Sequence, residues 1–178
     1  MDVKKLRYTH YFYSVLKASY SVPVVRFNNV PVCMYFATHF YFSTYHVFSN
    51  MCLRKIKTSY EPSLSRMILY VSSVAVMSYF TAFMETLTIS AFPYYSFEDR
   101  NMAYVVGSCF YAIYFLVSFP AFLEFDKNID VKGKSDVSIW QTVVESCGYC
   151  MIILCMLDFV RLYLGIPLMI ELFESSKE

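Results

Sequence analysis

Glycine and histidine are scarce in this chain, with 4 and 3 residues in 178, and charged side chains make up only 16%. So few glycines disfavour a phosphate-cradling loop, a collagen-like repeat or a flexible linker, and neither G-x-G-x-x-G nor a Walker pattern occurs. The formal net charge of +1 gives no long-range field of the kind that nucleic acid requires, so nucleic acid is excluded as a partner. Three histidines, with no H-x-x-x-H or H-x-x-H-H among them, are too few for the histidine boxes of membrane di-iron enzymes. The apolar fraction, by contrast, is 57%, and 20% of residues are aromatic. A domain this small leaves much of its surface uncovered, so a chain this apolar is expected to face lipid.

Six cysteines (Cys33, Cys52, Cys109, Cys147, Cys150, Cys155) fall mostly within apolar stretches and are expected to be buried thiols. Cys147 and Cys150 form one C-x-x-C pair, with no second pair or nearby histidine to complete a zinc site. No metal is expected.

Four stretches have the length and apolarity of bilayer spans. Val30 to Leu53 holds no Lys, Arg, Asp or Glu in 24 positions. A basic connecting loop follows, with Arg54, Lys55, Lys57 and Arg66 against Glu61. The second stretch, Met67 to Phe92, carries one carboxylate, Glu85, and breaks at Phe92-Pro93-Tyr94-Tyr95, aromatics that suit an interfacial belt. The third is Met102 to Leu123 and the fourth about Val137 to Leu164, separated by an aqueous loop over 124–136. Residues 4–25 mix bases with tyrosines and fit an interfacial helix or a partial span. The fold class is therefore all-α: a single integral-membrane domain over 1–178, a polytopic helix bundle of about four spans.

The basic loop belongs on the cytoplasmic side. That places the basic N-terminus across the membrane, a conflict that one further span upstream of Val30 removes.

Ionisable groups within spans are functional hypotheses by default. Glu85 lies 7 residues before Phe92, about 10 Å along a helix axis, hence within hydrocarbon. A neutral carboxylic acid in a dry site can donate a proton; an interhelical hydrogen bond is the structural alternative. His39 and His46 are two turns apart, about 10.5 Å, too far to share one metal ion. Proton transfer, hydroxyl recognition and plain packing stay open for both. Asp158 and Arg161 are spaced to pair on one helix face. Glu98-Asp99-Arg100 reads as the start of the third helix, with an acid at a cleft mouth as the alternative. The aromatic run from Phe110 to Phe115 suits a core, a lipid-facing surface or the wall of a flat ligand's pocket.

These residues occur in ordered blocks: Thr9-His10-Tyr11-Phe12, Asn28-Asn29-Val30-Pro31, Thr38-His39, Tyr45-His46-Val47, Ser78-Tyr79-Phe80, Glu85-Thr86, Phe92-Pro93-Tyr94-Tyr95, Asp99-Arg100, Phe110-Tyr111-Ala112-Ile113-Tyr114-Phe115, Val117-Ser118-Phe119-Pro120 and Leu157-Asp158. In these blocks, over about residues 8–165, the chain resembles the cycloeucalenol cycloisomerases, the cyclopropyl sterol isomerases of plant-type sterol synthesis. Members of that family look longer at the N-terminus, so this chain is expected to be shortened there relative to them.

The resemblance implies an isomerase of sterol biosynthesis in the endoplasmic reticulum membrane. It would open the 9β,19-cyclopropane ring of cycloeucalenol to give obtusifoliol, taking its sterol from membrane lipid and using no redox cofactor. Such a site needs an acid, a base, exclusion of water and a stabiliser for a carbocation. On physical grounds Glu85 is the leading acid or cation-stabilising group, with His39 or His46 as a relay. Tyr79, Tyr111 and Tyr114 line the pocket with Tyr94 and Tyr95, and Asn50, Asp99 or Arg100 receives the 3-hydroxyl. The rival expectations are a non-catalytic scaffold or sterol-binding protein, a different sterol double-bond isomerase and, more remotely, a small transporter.

Overall fold

The computed structural model describes residues 19–27, 30–97, 100–126 and 138–163. His10, Asp99, the 4–18 segment and most of the expected aqueous loop lie outside the described residues. Four long helices dominate: α1 (Val32–Ser59), α2 (Leu64–Ser90), α3 (Arg100–Asp126) and α4 (Ile139–Tyr163). The all-α reading holds. Four two-residue strands, β1 (Ser19–Tyr20), β2 (Arg26–Phe27), β3 (Val30–Pro31) and β4 (Tyr95–Ser96), form the antiparallel pairs β1–β4 and β2–β3.

The local chemistry explains the helix ends. Ser63 caps α2 by accepting from the Arg66 N–H at 3.2 Å, and Ser138 does the same for Gln141 at 3.1 Å before α4. The preceding helix α1 runs to Ser59, so Arg54, Lys55 and Lys57 sit on its last turns rather than in a loop, leaving residues 60–63 as the connection. Straight-chain Arg and Lys favour the helix, and a cation near its C-terminus complements the macrodipole. Likewise α3 continues through Glu124 to Asp126, past the point where an aqueous loop is expected.

Helices α2, α3 and α4 are long and apolar enough to cross a bilayer. Helix α1 is long enough, with 28 residues, but its tyrosines, histidines and hydroxyl side chains keep it below the apolarity of the other three. Among the described residues there are thus four long helices, as the bundle reading expects, and three of them are long and apolar enough to cross a bilayer.

Helix α3 is central: it packs against α1, α2 and α4. Phe110, Tyr111, Ala112, Ile113 and Phe115 are all buried, on every side of the helix, as a helix enclosed by neighbours requires. Phe115 and Phe119, both fully buried, form the centre with Leu53, Val74 and Ala82. A second cluster, Tyr95, Phe97, Ala103 and Phe110, closes the other end. The outer surfaces of α2 and α4 expose Met67, Ile68, Val76, Phe80, Ile152, Phe159 and Leu162, the inverse of a water-soluble bundle. All six cysteines are exposed, contrary to the buried-thiol expectation. In hydrocarbon an apolar thiol gains little by turning inward, so the usual inference from apolar neighbours to burial fails.

Phe115 fills the space shared by three helices, and its removal leaves a void there. Phe115→Ala is expected to destabilise the protein by about 3–5 kcal/mol, measured as earlier loss of helicity on denaturation in detergent micelles.

Candidate active site

Glu85 projects from α2 into the bundle and is only 6% exposed. The buried side of α2 runs through Val74, Ser78, Ala82, Glu85 and Ser90, steps of three to five residues that carry the carboxyl inward. Tyr111 of α3 donates its hydroxyl to Glu85 Oε1 at 2.9 Å. Among the described residues, Oε2 is buried with no hydrogen-bond partner. Tyr45 of α1 packs edge-on against Phe115, with ring centroids 5.9 Å apart.

Aromatic rings from α1 and from α3 itself pack about Tyr111. Tyr111 meets Tyr114 at 5.7 Å, Phe115 at 5.2 Å and Phe42 at 6.3 Å between ring centroids. Such faces carry negative quadrupole charge and suit a cationic centre.

His46 belongs to a different polar pair. Its Nδ1–H donates to the Phe42 carbonyl at 2.6 Å, and Nε2 meets the Ser118 hydroxyl at 2.9 Å. Phe42, Phe115, Phe119 and Phe122 surround the imidazole with centroid separations of 5.2–6.5 Å. Phe42 and Phe115 touch both the His46 and the Tyr111 rings, so one aromatic layer separates the two pairs. His39 lies on the exposed side of α1 and is not brought to Glu85.

Asn50 sits at the far end of the bundle. Its Nδ2 donates to Asp126 Oδ2, which also accepts from Arg54 at 2.5 Å, while Lys57 reaches Glu124 at 3.3 Å. Asp126 is 15 residues beyond Tyr111, about 22 Å along α3. Tyr94 and Arg100 are exposed, Tyr95 is buried against Tyr20 and Phe97, and Tyr79 is largely exposed, stacked on Phe83. The expected site residues thus divide into three groups: Glu85 with Tyr111, Tyr114 and the nearby Tyr45; His46 alone; and Asn50 at the charged end. No cluster of His, Cys, Asp or Glu among the described residues could hold a metal ion.

Four participants escaped the sequence reading. Ser118 bonds His46 across 72 positions, Asp126 ties Asn50 to Arg54, and Ser90 meets the Tyr104 hydroxyl at 2.6 Å. Tyr104 sits in a π-helical turn, Ala103–Gly107, of the kind that often marks functional positions. The legible signal was a spacing: the hydroxyl groups of Tyr104, Tyr111 and Ser118 recur every seven residues along α3, and each meets a polar group on a neighbouring helix.

Comparison with known proteins bears on what this arrangement does. The chain is 41% identical over 160 residues to the curated protein "Cycloeucalenol cycloisomerase" of Arabidopsis thaliana, an alignment that covers 89% of this chain and 56% of that protein. The chain is a homologue of that cycloisomerase. It spans little more than half of the relative's length, and the resemblance carried by the ordered sequence blocks extends over nearly all of this chain. No family model matches, and no solved structure matches either.

Removing the carboxylate that ties Asn50 and Arg54 together should cost stability. Both ends of that ion pair are partly exposed, so Asp126→Ala is expected to destabilise the protein by only about 1–2 kcal/mol. The loss should shrink when salt is raised, measured by chemical denaturation in detergent.

Proposed function

We propose that the chain works in sterol biosynthesis as an isomerase that opens a 9β,19-cyclopropane ring, with cycloeucalenol as substrate and obtusifoliol as product. The observation that carries this reading is the buried Glu85 carboxyl, held by Tyr111 among aromatic faces within an apolar helix bundle. The name of the Arabidopsis relative supports it independently.

In the proposed reaction the Glu85 carboxyl gives its proton to carbon 19. The electron pair of the C9–C19 bond becomes the new C19–H bond, leaving positive charge at carbon 9. The hydrogen on carbon 8 then leaves as a proton, and its bonding pair forms the 8,9 double bond. Electrons are only redistributed, so no redox cofactor takes part. The proton gained and the proton lost lie on the same face of the sterol, so one group or a short relay serves both steps. The carboxylate and the rings of Tyr45, Tyr111 and Tyr114 stabilise the cation through charge and π-faces.

His46 is the weaker candidate for a relay, because both ring nitrogens are engaged and an aromatic layer stands between it and Glu85. His39, on the exposed side of α1, is weaker still. Asn50 is the weaker candidate for the 3-hydroxyl, because its amide already donates to Asp126 at the charged end of the bundle. The Tyr94, Tyr95 and Arg100 end fits better: Glu85 is five residues from Ser90, the last residue of α2. The substrate enters from surrounding lipid, and the endoplasmic reticulum membrane is the proposed location.

Glu85→Gln preserves shape and removes the acid. In microsomes supplied with a cyclopropyl sterol, it is expected to lower ring opening by about 10²–10⁴-fold, read from the ratio of cyclopropyl to Δ8 sterols. Full activity in Glu85→Gln would remove Glu85 from the acid role, and an unchanged sterol profile on deleting the whole chain would favour a scaffold or sterol-binding protein.

A further inference from the structure

We infer that Tyr111 is a positioning residue for Glu85: its hydrogen bond reserves Oε1 as the acceptor and leaves Oε2 to carry the transferable proton. The inference rests on the proposed reading of Glu85 as the acid. A carboxylic acid has one carbonyl oxygen and one hydroxyl. Because the Tyr111 O–H donates to Oε1 at 2.9 Å, the carbonyl is Oε1 and the acidic hydrogen lies on Oε2. The second oxygen is buried, with no hydrogen-bond partner among the described residues. Buried polar atoms are nearly always satisfied, so a carboxyl with one oxygen tied and the other unmet calls for an explanation. An acid that waits for a carbon base supplies one, since the base arrives only with the substrate.

Two consequences give Tyr111 a role that a mere pocket wall lacks. A carboxyl rotates readily about its last torsion, which would present either oxygen to the substrate. The Tyr111 bond removes that freedom, and the tyrosine ring is itself fixed between Tyr114, Phe115 and Phe42. When Oε2–H breaks and the proton passes to carbon 19, Glu85 becomes a carboxylate, and the Tyr111 hydroxyl then donates to a full negative charge. Charge-assisted hydrogen bonds are stronger than neutral ones, so this bond strengthens as the cation forms, a gain confined to the reacting state.

Infrared spectroscopy of the full chain in lipid vesicles tests the geometry without turnover. A protonated-carboxyl stretch that disappears in Glu85→Gln is assigned to Glu85. In Tyr111→Phe, which keeps the ring contacts, that band is expected to move to the higher frequency of a carbonyl lacking a hydrogen bond, and in the control Tyr104→Phe it should stay in place. Absence of the band in the unsubstituted chain, or an unmoved band in Tyr111→Phe, overturns the inference. Should Tyr111→Phe fail to fold, the frequency in the unsubstituted chain decides, because a band at the position of a free carbonyl is incompatible with the Tyr111 bond.

Turnover supplies the second readout. Tyr111→Phe is expected to lower kcat by about 10–100-fold with KM unchanged, whereas a wall residue would move KM; an unchanged kcat refutes the positioning role. A chain with no ring-opening activity at all would sink the proposed reaction while the infrared result still decides whether Tyr111 orients Glu85.

Discussion

A carboxyl group inside hydrocarbon is tolerated only where protein covers it and supplies a partner. Glu85 meets that condition through α3, which closes over it and offers the Tyr111 hydroxyl. The same constraint accounts for the crowding around it. Tyr114, Phe115 and Phe42 pack about Tyr111, and Phe115 and Phe119 leave no exposed surface of their own. A wet or loosely packed interior would spoil the low-dielectric setting in which a held acid and aromatic faces act strongly.

The bundle is organised around α3. Along it the hydroxyl groups of Tyr104, Tyr111 and Ser118 stand about two turns apart and meet Ser90, Glu85 and His46 in turn. Asp126 completes the series at the charged end, where it holds Asn50 and Arg54 of α1. The Phe42 and Phe115 rings stand between the Tyr111–Glu85 and Ser118–His46 pairs, and the Asp126 group lies at the partly exposed end. Because the outer faces of α2 and α4 are apolar, the polar groups inside make the helices specific to one another, whereas lipid offers little hydrophobic drive for helix association.

The sequence discloses this arrangement unevenly. Long apolar runs with few charges reveal α2, α3 and α4 because a bilayer leaves few other ways to read them, and Glu85 stands out as the one carboxylate in its run. The ends of α1 and α3 were harder, since the basic and acidic residues that suggest a loop are good helix formers once Arg54 meets Asp126 and Lys57 meets Glu124. The outward cysteines contradict a rule learned from water-soluble proteins. The His46–Ser118 and Asn50–Asp126 contacts join positions 72 and 76 residues apart, and no local pattern specifies which side chains meet across such separations. Glu85 and Tyr111 were both legible as candidates, one as an acid and the other as wall; their bond was not, because it depends on the rotation of two helices about their own axes.

The proposed ring opening requires the buried Glu85 carboxyl to face a positive charge developing on a flat polycycle. Its most direct test compares two sterol analogues bound to the full chain in lipid vesicles, one with an ammonium nitrogen in place of carbon 9 and one uncharged and of the same shape. If Glu85 faces the cation, the charged analogue binds more tightly than the neutral one, and Glu85→Gln abolishes that preference. Equal binding of the two analogues, or a preference that survives Glu85→Gln, would contradict the account.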